Sequence, residues 1–128
     1  INGSFFYVPV TEKFFLDNLN IDLVTNFFSF GEMKKEFFLE YYNSQYIKNS
    51  NYIYLVNRFV SSPFFEKTFD SDLNIFDYLN ETHEKIYFDI FPIHHYENIK
   101  RPLYNINSRK PVSSSYFEMI KKNIKIIN

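Results

Sequence analysis

The sequence of 128 residues has no cysteine, no alanine and no tryptophan, and it has only two glycines. Without cysteine the chain forms no disulfide, offers no thiolate ligand to a metal and has no thiol nucleophile. Two glycines are too few for a phosphate-binding loop or a dinucleotide-binding fingerprint. These absences argue against thiol and nucleotide-dependent chemistry, and we expect no cofactor and no small-molecule substrate.

The histidines and serines show no spacing that is typical of catalysis. His94 and His95 with Glu97 form an H-H-x-E pattern, which differs from the H-E-x-x-H pattern of metalloproteases. His83 falls on an apolar stripe, and we expect it to be a partly buried packing residue. No serine lies in a G-x-S-x-G turn. We therefore predict no metal ligand and no catalytic residue, and a protein that is not an enzyme.

Five residue types make up more than half of the chain: 17 Phe, 15 Asn, 14 Ile, 11 Lys and 11 Tyr. Their codons consist mainly of A and T. Alanine, one of the absent residue types, is the best helix former and a common core residue. The requirements of folding therefore do not explain its absence. Mutational bias in an AT-rich genome does. Organelle genomes have such a bias, and we expect a mitochondrial protein located in the matrix.

The aromatic residues exceed what one small domain can bury. Phe and Tyr each bury about 150–250 Å², and a domain of this length has a limited interior. Part of the aromatic surface is therefore expected on the outside, where a contiguous apolar patch usually marks a partner. The composition predicts a subunit that packs on neighbouring proteins.

Apolar residues at helical spacing run through much of the chain. Thr11 is a candidate N-cap, Ser29 and Glu32 form an S-x-x-E capping box, and Ser115 with Glu118 forms a second one. The apolar sets recur every three or four residues. They are Phe15, Leu16, Leu19 and Leu23; Met33, Phe37 and Tyr41; Tyr52, Leu55, Val56, Phe59 and Val60; Leu73, Phe76, Leu79, His83, Ile86 and Ile90 behind Ser71; and Phe117, Ile120, Ile124 and Ile127.

These patterns predict a mostly α fold of four to five amphipathic helices with an extended N-terminal arm. Three prolines punctuate the segment 92–115, which shows no periodicity. We expect it to be extended, to lie across a partner and to precede a terminal helix with a basic side. Two points stay open. Residues 51–60 also suit a strand, and an alternative α+β fold would have strands at 3–8 and 86–91.

Charge divides the chain into two parts. Residues 1–97 carry 7 basic and 14 acidic residues, a net charge of −7, whereas residues 98–128 carry 7 basic residues and one acid, a net charge of +6. We predict an acidic, aromatic-rich globular body at 1–97 and a basic C-terminal extension at 98–128. Such asymmetry indicates an anionic partner. The candidate residues for binding RNA or another partner are Lys100, Arg101, Tyr104, Arg109, Lys110, Tyr116, Lys121, Lys122 and Lys125.

Charge and aromatic surplus together favour a non-catalytic structural subunit of a large organellar assembly. The first hypothesis is a mitochondrial ribosomal protein whose basic C-terminal segment contacts rRNA phosphates, with Tyr104 and Tyr116 stacking on bases. A second hypothesis is a soluble-side accessory subunit of a membrane-bound respiratory complex, with the segment on anionic lipid headgroups. A third is a free-standing interaction module or small enzyme from an AT-rich genome. The basic segment could also fold back on the acidic body.

Overall fold

The computed structural model describes residues 8–61, 73–92 and 116–126. They form a four-stranded mixed sheet, a short two-stranded sheet, two short α-helices and four 3-10 helices. The strands are β1 (Leu23–Phe27), β2 (Tyr52–Arg58), β3 (Val60–Ser61), β4 (Leu73–Asn74), β5 (His83–Ile90) and β6 (Tyr116–Asn123). The α-helices are α1 (Lys35–Tyr42) and α2 (Gln45–Lys48), and the 3-10 helices span Val10–Asn18, Phe30–Glu32, Ile75–Tyr78 and Ile124–Ile126.

The four-stranded sheet has the order β1-β2-β6-β5. Strands β1 and β2 are parallel, and the chain between them contains α1 and α2, because parallel neighbours need a crossover connection. Strand β6 is antiparallel to both of its neighbours. The last strand in sequence is therefore an inner strand of the sheet, while β5 is an outer one. Strands β3 and β4 pair separately.

One face of the sheet packs on the helices and forms the core. Along β6 every second side chain is buried, beginning with Phe117 and Met119, as a strand with one covered face requires. The rings of Phe38 and Tyr42 from α1 stack at 5.0 Å between centroids, and the Tyr78 ring meets the Phe38 ring edge-on at 4.9 Å. The buried apolar cluster comprises Phe30, Phe38, Tyr42, Ile47, Ile53, Leu55, Leu73, Tyr78, Phe117 and Met119.

The expectation of a mostly α fold is wrong, because two of the expected helices are strands. Residues 52–58 form β2, and residues 116–123 form β6, where the second capping box predicted a terminal basic helix. Both segments are rich in β-branched and aromatic residues, which suit a pleated, half-buried surface. Each is paired on both sides with distant parts of the chain. That non-local pairing outweighs the local helical spacing.

The helix expected after Ser29 begins later and buries a different face. Residues 30–32 form a 3-10 turn without a side-chain cap, and α1 begins at Lys35. The residues of α1 that reach the core are Phe38 and Tyr42, whereas Phe37 is exposed. The expected apolar stripe was displaced by one position, because Phe and Tyr occur side by side in this helix.

The remaining two expected helices are replaced by shorter elements. The stretch from Thr11 forms a 3-10 helix at Val10–Asn18, and Leu23 belongs to β1. The run that begins at Leu73 divides into β4, a 3-10 turn and β5. Strand β5 overlaps the strand at 86–91 that the α+β alternative expected. The turn is capped by Asn74, whose side chain accepts from the N–H of Phe76 at 2.9 Å.

Several expectations fall on residues outside the described ranges. These are most of the extended arm at 3–8, the capping residue Ser71 and nearly all of the segment 92–115. Strand β6, which belongs to the basic part at 98–128, is an inner strand of the sheet. Among the described residues no helix is long and apolar enough to cross a membrane.

Candidate interaction surface

The face of the four-stranded sheet opposite to the core, here called the open face, presents its side chains in rows across the strands. Its residues follow from the strand register, since directly paired residues point to the same face. On β6 they are the residues that alternate with the buried ones, and on the other strands they are the residues paired with these. Three rows are Leu23, Tyr52, Lys122 and Glu84; Thr25, Tyr54, Ile120 and Tyr87; and Phe27, Val56, Glu118 and Asp89; the fourth pairs Arg58 with Tyr116.

Large apolar side chains on the open face remain exposed to solvent. The exposed fractions are 52% for Leu23, 46% for Phe27, 37% for Tyr52 and 42% for Tyr87. These four residues come from three of the four strands, and Phe27 meets the Tyr54 ring edge-on at 5.2 Å between centroids. Several exposed apolar groups on one face of a sheet differ from the single ones found on any protein surface. The open face is therefore the candidate interaction surface of this chain.

A carboxylate of β6, that of Glu118, lies between two tyrosines on the open face. The hydroxyl of Tyr54 donates a hydrogen bond to Glu118, and this bond, aided by burial, raises the pKa of Tyr54 to about 12. Tyr87 lies one strand further, and burial together with Glu118 and Asp89 raises its pKa as well. Both tyrosines are thus neutral hydrogen-bond donors near neutral pH. The open face combines apolar rings with a fixed acceptor.

One corner of the open face is covered by an aromatic group. Phe28 directly follows β1 with a φ of 65°, and its ring lies 5.0 Å from the Tyr116 ring and 6.0 Å from the Phe91 ring. The Nε of Arg58 donates to the hydroxyl of Tyr116 at 3.0 Å, and Arg58 also lies 3.6 Å from Glu32. Tyr116, which the sequence offered for stacking on bases, is therefore half-buried in protein contacts.

The structure separates the basic residues that the sequence grouped together. Lys125 is exposed after β6, Lys122 is half-buried on the open face, and Lys121 is only 1% exposed on the core face. Because consecutive residues of a strand point to opposite faces, Lys121 and Lys122 face opposite sides. Lys121 is therefore a core residue and not a surface contact. The remaining candidates, Lys100, Arg101, Tyr104, Arg109 and Lys110, lie outside the described residues.

The buried ammonium of Lys121 is held by three oxygens without a charge. Nζ donates to the side chain of Asn80 at 2.7 Å, to the carbonyl of Tyr78 at 3.0 Å and to the hydroxyl of Tyr42 at 3.3 Å. The Tyr42 hydroxyl itself donates to the Tyr78 carbonyl at 2.6 Å. Because an ammonium has three N–H donors, all of them are engaged. The group ties the turn before β5 to β6 and α1.

Burial controls the ionisation of this polar cluster. It lowers the pKa of Lys121 to about 8, because the charged form loses its hydration and none of the ion pairs among the described residues includes this lysine. Burial raises the pKa values of Tyr42 and Tyr78. A lysine with a lowered pKa is a common catalytic base or nucleophile. Here the amine is enclosed and fully bonded, which makes it a structural group.

His83 is buried next to Lys121, as its place on an apolar stripe indicated. Its Nε2 donates to the carbonyl of Ser50 at 2.9 Å, so Nδ1 is left as the acceptor for the Thr82 hydroxyl at 2.9 Å. Asn123 donates to the same Ser50 carbonyl at 3.0 Å. Burial lowers the pKa of His83, and the positive charge of Lys121 adds to the effect. The neutral imidazole therefore joins β5 to the chain before β2.

The sequence contained a signal for the open face that helical spacing concealed. Strand β6 has strict alternation of buried and half-buried residues, but two of its four buried residues are Lys121 and Asn123. Polar residues at buried positions interrupt the alternation of apolar and polar residues by which a strand is recognised in a sequence. The exposed residues Leu23 and Phe27 lie four apart and were equally consistent with a helix.

The described residues contain no group of three His, Asp or Glu side chains that could hold a metal ion. His94 and His95 lie outside them. In the comparisons with known proteins, no family model, no curated protein and no solved structure matches this chain.

Proposed function

We propose that this chain is a non-catalytic structural subunit of a large assembly, and that it packs its open face on a neighbouring protein. The observation that carries the proposal is the exposure of Leu23, Phe27, Tyr52 and Tyr87 across one face of the sheet. A sheet stabilises a domain only when its apolar face is covered. The chain itself covers the core face and buries Val56 on the open face, and the partner supplies the cover for the exposed residues of the open face.

The polar groups of the open face indicate the character of that partner. Glu84, Glu118 and Asp89 accompany the exposed rings, with Lys122 as the basic residue in the same rows. An apolar centre with a mixed polar rim is typical of protein–protein interfaces. These carboxylates would repel the phosphates of an RNA. The open face therefore suits a protein neighbour.

We further propose that the assembly is a mitochondrial ribosome and that basic residues of the segment 98–128 contact rRNA. Apart from Lys121 in the core and Lys122 on the open face, this segment contains Lys100, Arg101, Arg109, Lys110 and Lys125. Phosphate contacts by Lys and Arg need reach and positive charge but no particular fold. The AT-rich composition supports an organellar gene.

Sedimentation of the native protein in a lysate gradient tests both parts of the proposal. A structural subunit migrates with a large particle, and for a ribosomal protein that particle collapses after nuclease treatment. A Leu23→Thr/Phe27→Thr variant is expected to leave the particle, with Glu12→Gln/Glu40→Gln as a control for exposed changes away from the open face. A nuclease-resistant particle that needs detergent for extraction would refute the ribosomal part. A protein that stays at the top of every gradient would refute both.

A further inference from the structure

The basic residues in the rows of the open face each lie beside an acid of the same chain. Lys122 is paired directly with Glu84 across β6 and β5. Arg58 lies 3.6 Å from Glu32 at the corner that the aromatic group covers. Opposite charges at directly paired positions attract each other. The positive charge of the open face is therefore balanced within the chain.

Two acids of the open face have no such balance. Asp89 and Glu118 are paired directly across β5 and β6, so that two negative charges lie side by side. Like charges at directly paired positions destabilise a sheet. None of the ion pairs among the described residues includes either acid, and Arg58 is directed to Tyr116 and Glu32. The fold thus keeps an unfavourable pair of charges on its exposed face.

Both carboxylates have room for a further hydrogen bond. The carboxylate of Glu118 accepts from a tyrosine hydroxyl, and that of Asp89 accepts from the N–H of Ile90 at 2.7 Å. Because a carboxylate has two oxygens with about four lone-pair sites, each keeps free acceptor capacity. Exposed rings lie close by, since Phe27 belongs to the same row and Tyr87 precedes Asp89 by two residues. Carboxylates and ring faces both attract a positive charge.

We propose that the protein that covers the open face places a basic side chain against Asp89 and Glu118 and apolar groups against the rings around them. This inference rests on the proposed function and names the chemistry of the partner at that face. A cover takes the carboxylates out of water, and an unpaired charge in such a place is costly. A lysine or arginine of the partner supplies the missing charge.

Charge distinguishes this partner from two others. An RNA brings phosphates, which carry the same sign as Asp89 and Glu118. A second copy of this chain brings the same acids, and the basic residues of its open face, Lys122 and Arg58, already lie beside acids. A different protein with a basic residue in an apolar surface gives the complementary charge that interfaces use for specificity.

Charge reversal of Asp89 separates binding from folding. In Asp89→Lys the new ammonium lies directly opposite Glu118, so the chain by itself should gain stability. The same ammonium meets the basic side chain of the partner, and we expect binding to weaken at least about tenfold. Glu12→Lys makes the same change of charge at an exposed residue away from the open face, and it is the matched control.

Lysate gradients and thermal melting measure the two effects on full-length protein. Binding is the ratio of tagged protein in the large particle to free protein, compared among the wild type, Asp89→Lys, Glu12→Lys and Leu23→Thr/Phe27→Thr. Melting compares Asp89→Lys with its parent in the Leu23→Thr/Phe27→Thr background, where fewer apolar groups are exposed. There we expect Asp89→Lys to raise the Tm by about 2 °C.

Three results overturn the inference. Asp89→Lys might bind as well as the wild type, or Glu12→Lys might lose as much binding. A fall in Tm would show that a basic residue of this chain already pairs with Asp89. The result for Leu23→Thr/Phe27→Thr separates the inference from the proposed function. If that variant stays in the particle, both fail; if it is released while Asp89→Lys is retained, only the inference fails.

Discussion

Lys121 and Lys122 are adjacent in the sequence and lie in opposite environments, with the first ammonium bonded to Asn80 in the core and the second side chain on the open face. Strand geometry produces this separation, because successive side chains alternate between faces. Of two basic residues that are adjacent in the sequence, one is therefore part of the core and the other part of the surface.

The first prediction is that charge reversal at these two positions has unequal effects. Lys121→Glu places a carboxylate against the carbonyl of Tyr78, and we expect a loss of more than about 3 kcal/mol in the free energy of unfolding. Lys122→Glu is the matched control and should change it by less than about 1 kcal/mol. Urea denaturation measures both. Equal losses would contradict the burial of Lys121.

The second prediction concerns alkaline pH. The pKa of Lys121 is about 8 in the folded chain and near its ordinary 10.5 when unfolded. The unfolded state binds more protons between these values, so stability should rise with pH across that window, by up to about 3 kcal/mol. Above about pH 10 the raised pKa values of Tyr42 and Tyr78 reverse the slope.

A Lys121→Met variant isolates the contribution of the lysine. Its carbon chain fills the same space without an ammonium, and the Tyr78 carbonyl keeps its bond from Tyr42. We expect this variant to be at least as stable as the wild type at pH 7 and to lack the rise between pH 8 and 10. A rise of the same size in both proteins would assign it to groups besides Lys121.

The third prediction concerns acid. Burial lowers the pKa of His83 below its ordinary 6.5, so the unfolded state takes up a proton before the folded state does. Stability is then lost as pH falls through about 6.5. In His83→Gln the free energy of unfolding should be lower at pH 7, because the bond to Ser50 is weakened, and should fall less towards pH 5. If the difference in the free energy of unfolding between His83→Gln and the wild type stays constant with pH, the prediction is contradicted.

The fourth prediction uses the positive φ of Phe28. A residue with a Cβ is strained in this region, and glycine is not. Phe28→Gly should therefore be more stable than Phe28→Ala by about 1 kcal/mol, since both lose the same ring contacts. Phe27 lies within β1 and provides the control pair, where glycine should be less stable than alanine. The same order at both positions would contradict the left-handed conformation.

The fifth prediction concerns solubility. Leu23→Thr/Phe27→Thr removes two exposed apolar groups from β1 and keeps residues that suit strands. Expressed alone, the wild type should aggregate and the variant should be more soluble, with a loss of stability limited to the Phe27–Tyr54 ring contact, about 1 kcal/mol. Light scattering measures aggregation, and thermal melting measures the loss of stability. A monodisperse wild type that melts cooperatively would contradict the role of the open face.

Local patterns in the sequence predicted some single residues well and the fold poorly. The burial of His83 was predicted from its place on an apolar stripe, and β5 overlaps a strand that was considered as an alternative. The helices expected at 51–60 and after Ser115 are strands, because their hydrogen bonds come from partners far away in the chain. Spacing along a segment carries no information about such partners.

The sequence by itself determined that this chain has no cysteine chemistry and too many aromatic residues for its interior, since both follow from composition. Only the tertiary structure decided where the surplus lies and which lysine is buried. Pairing of β6 with β2 and β5 fixes the face of every residue in it, and a shift of one residue would exchange Lys121 for Lys122. Register is a property of two strands together, so neither segment encodes it alone.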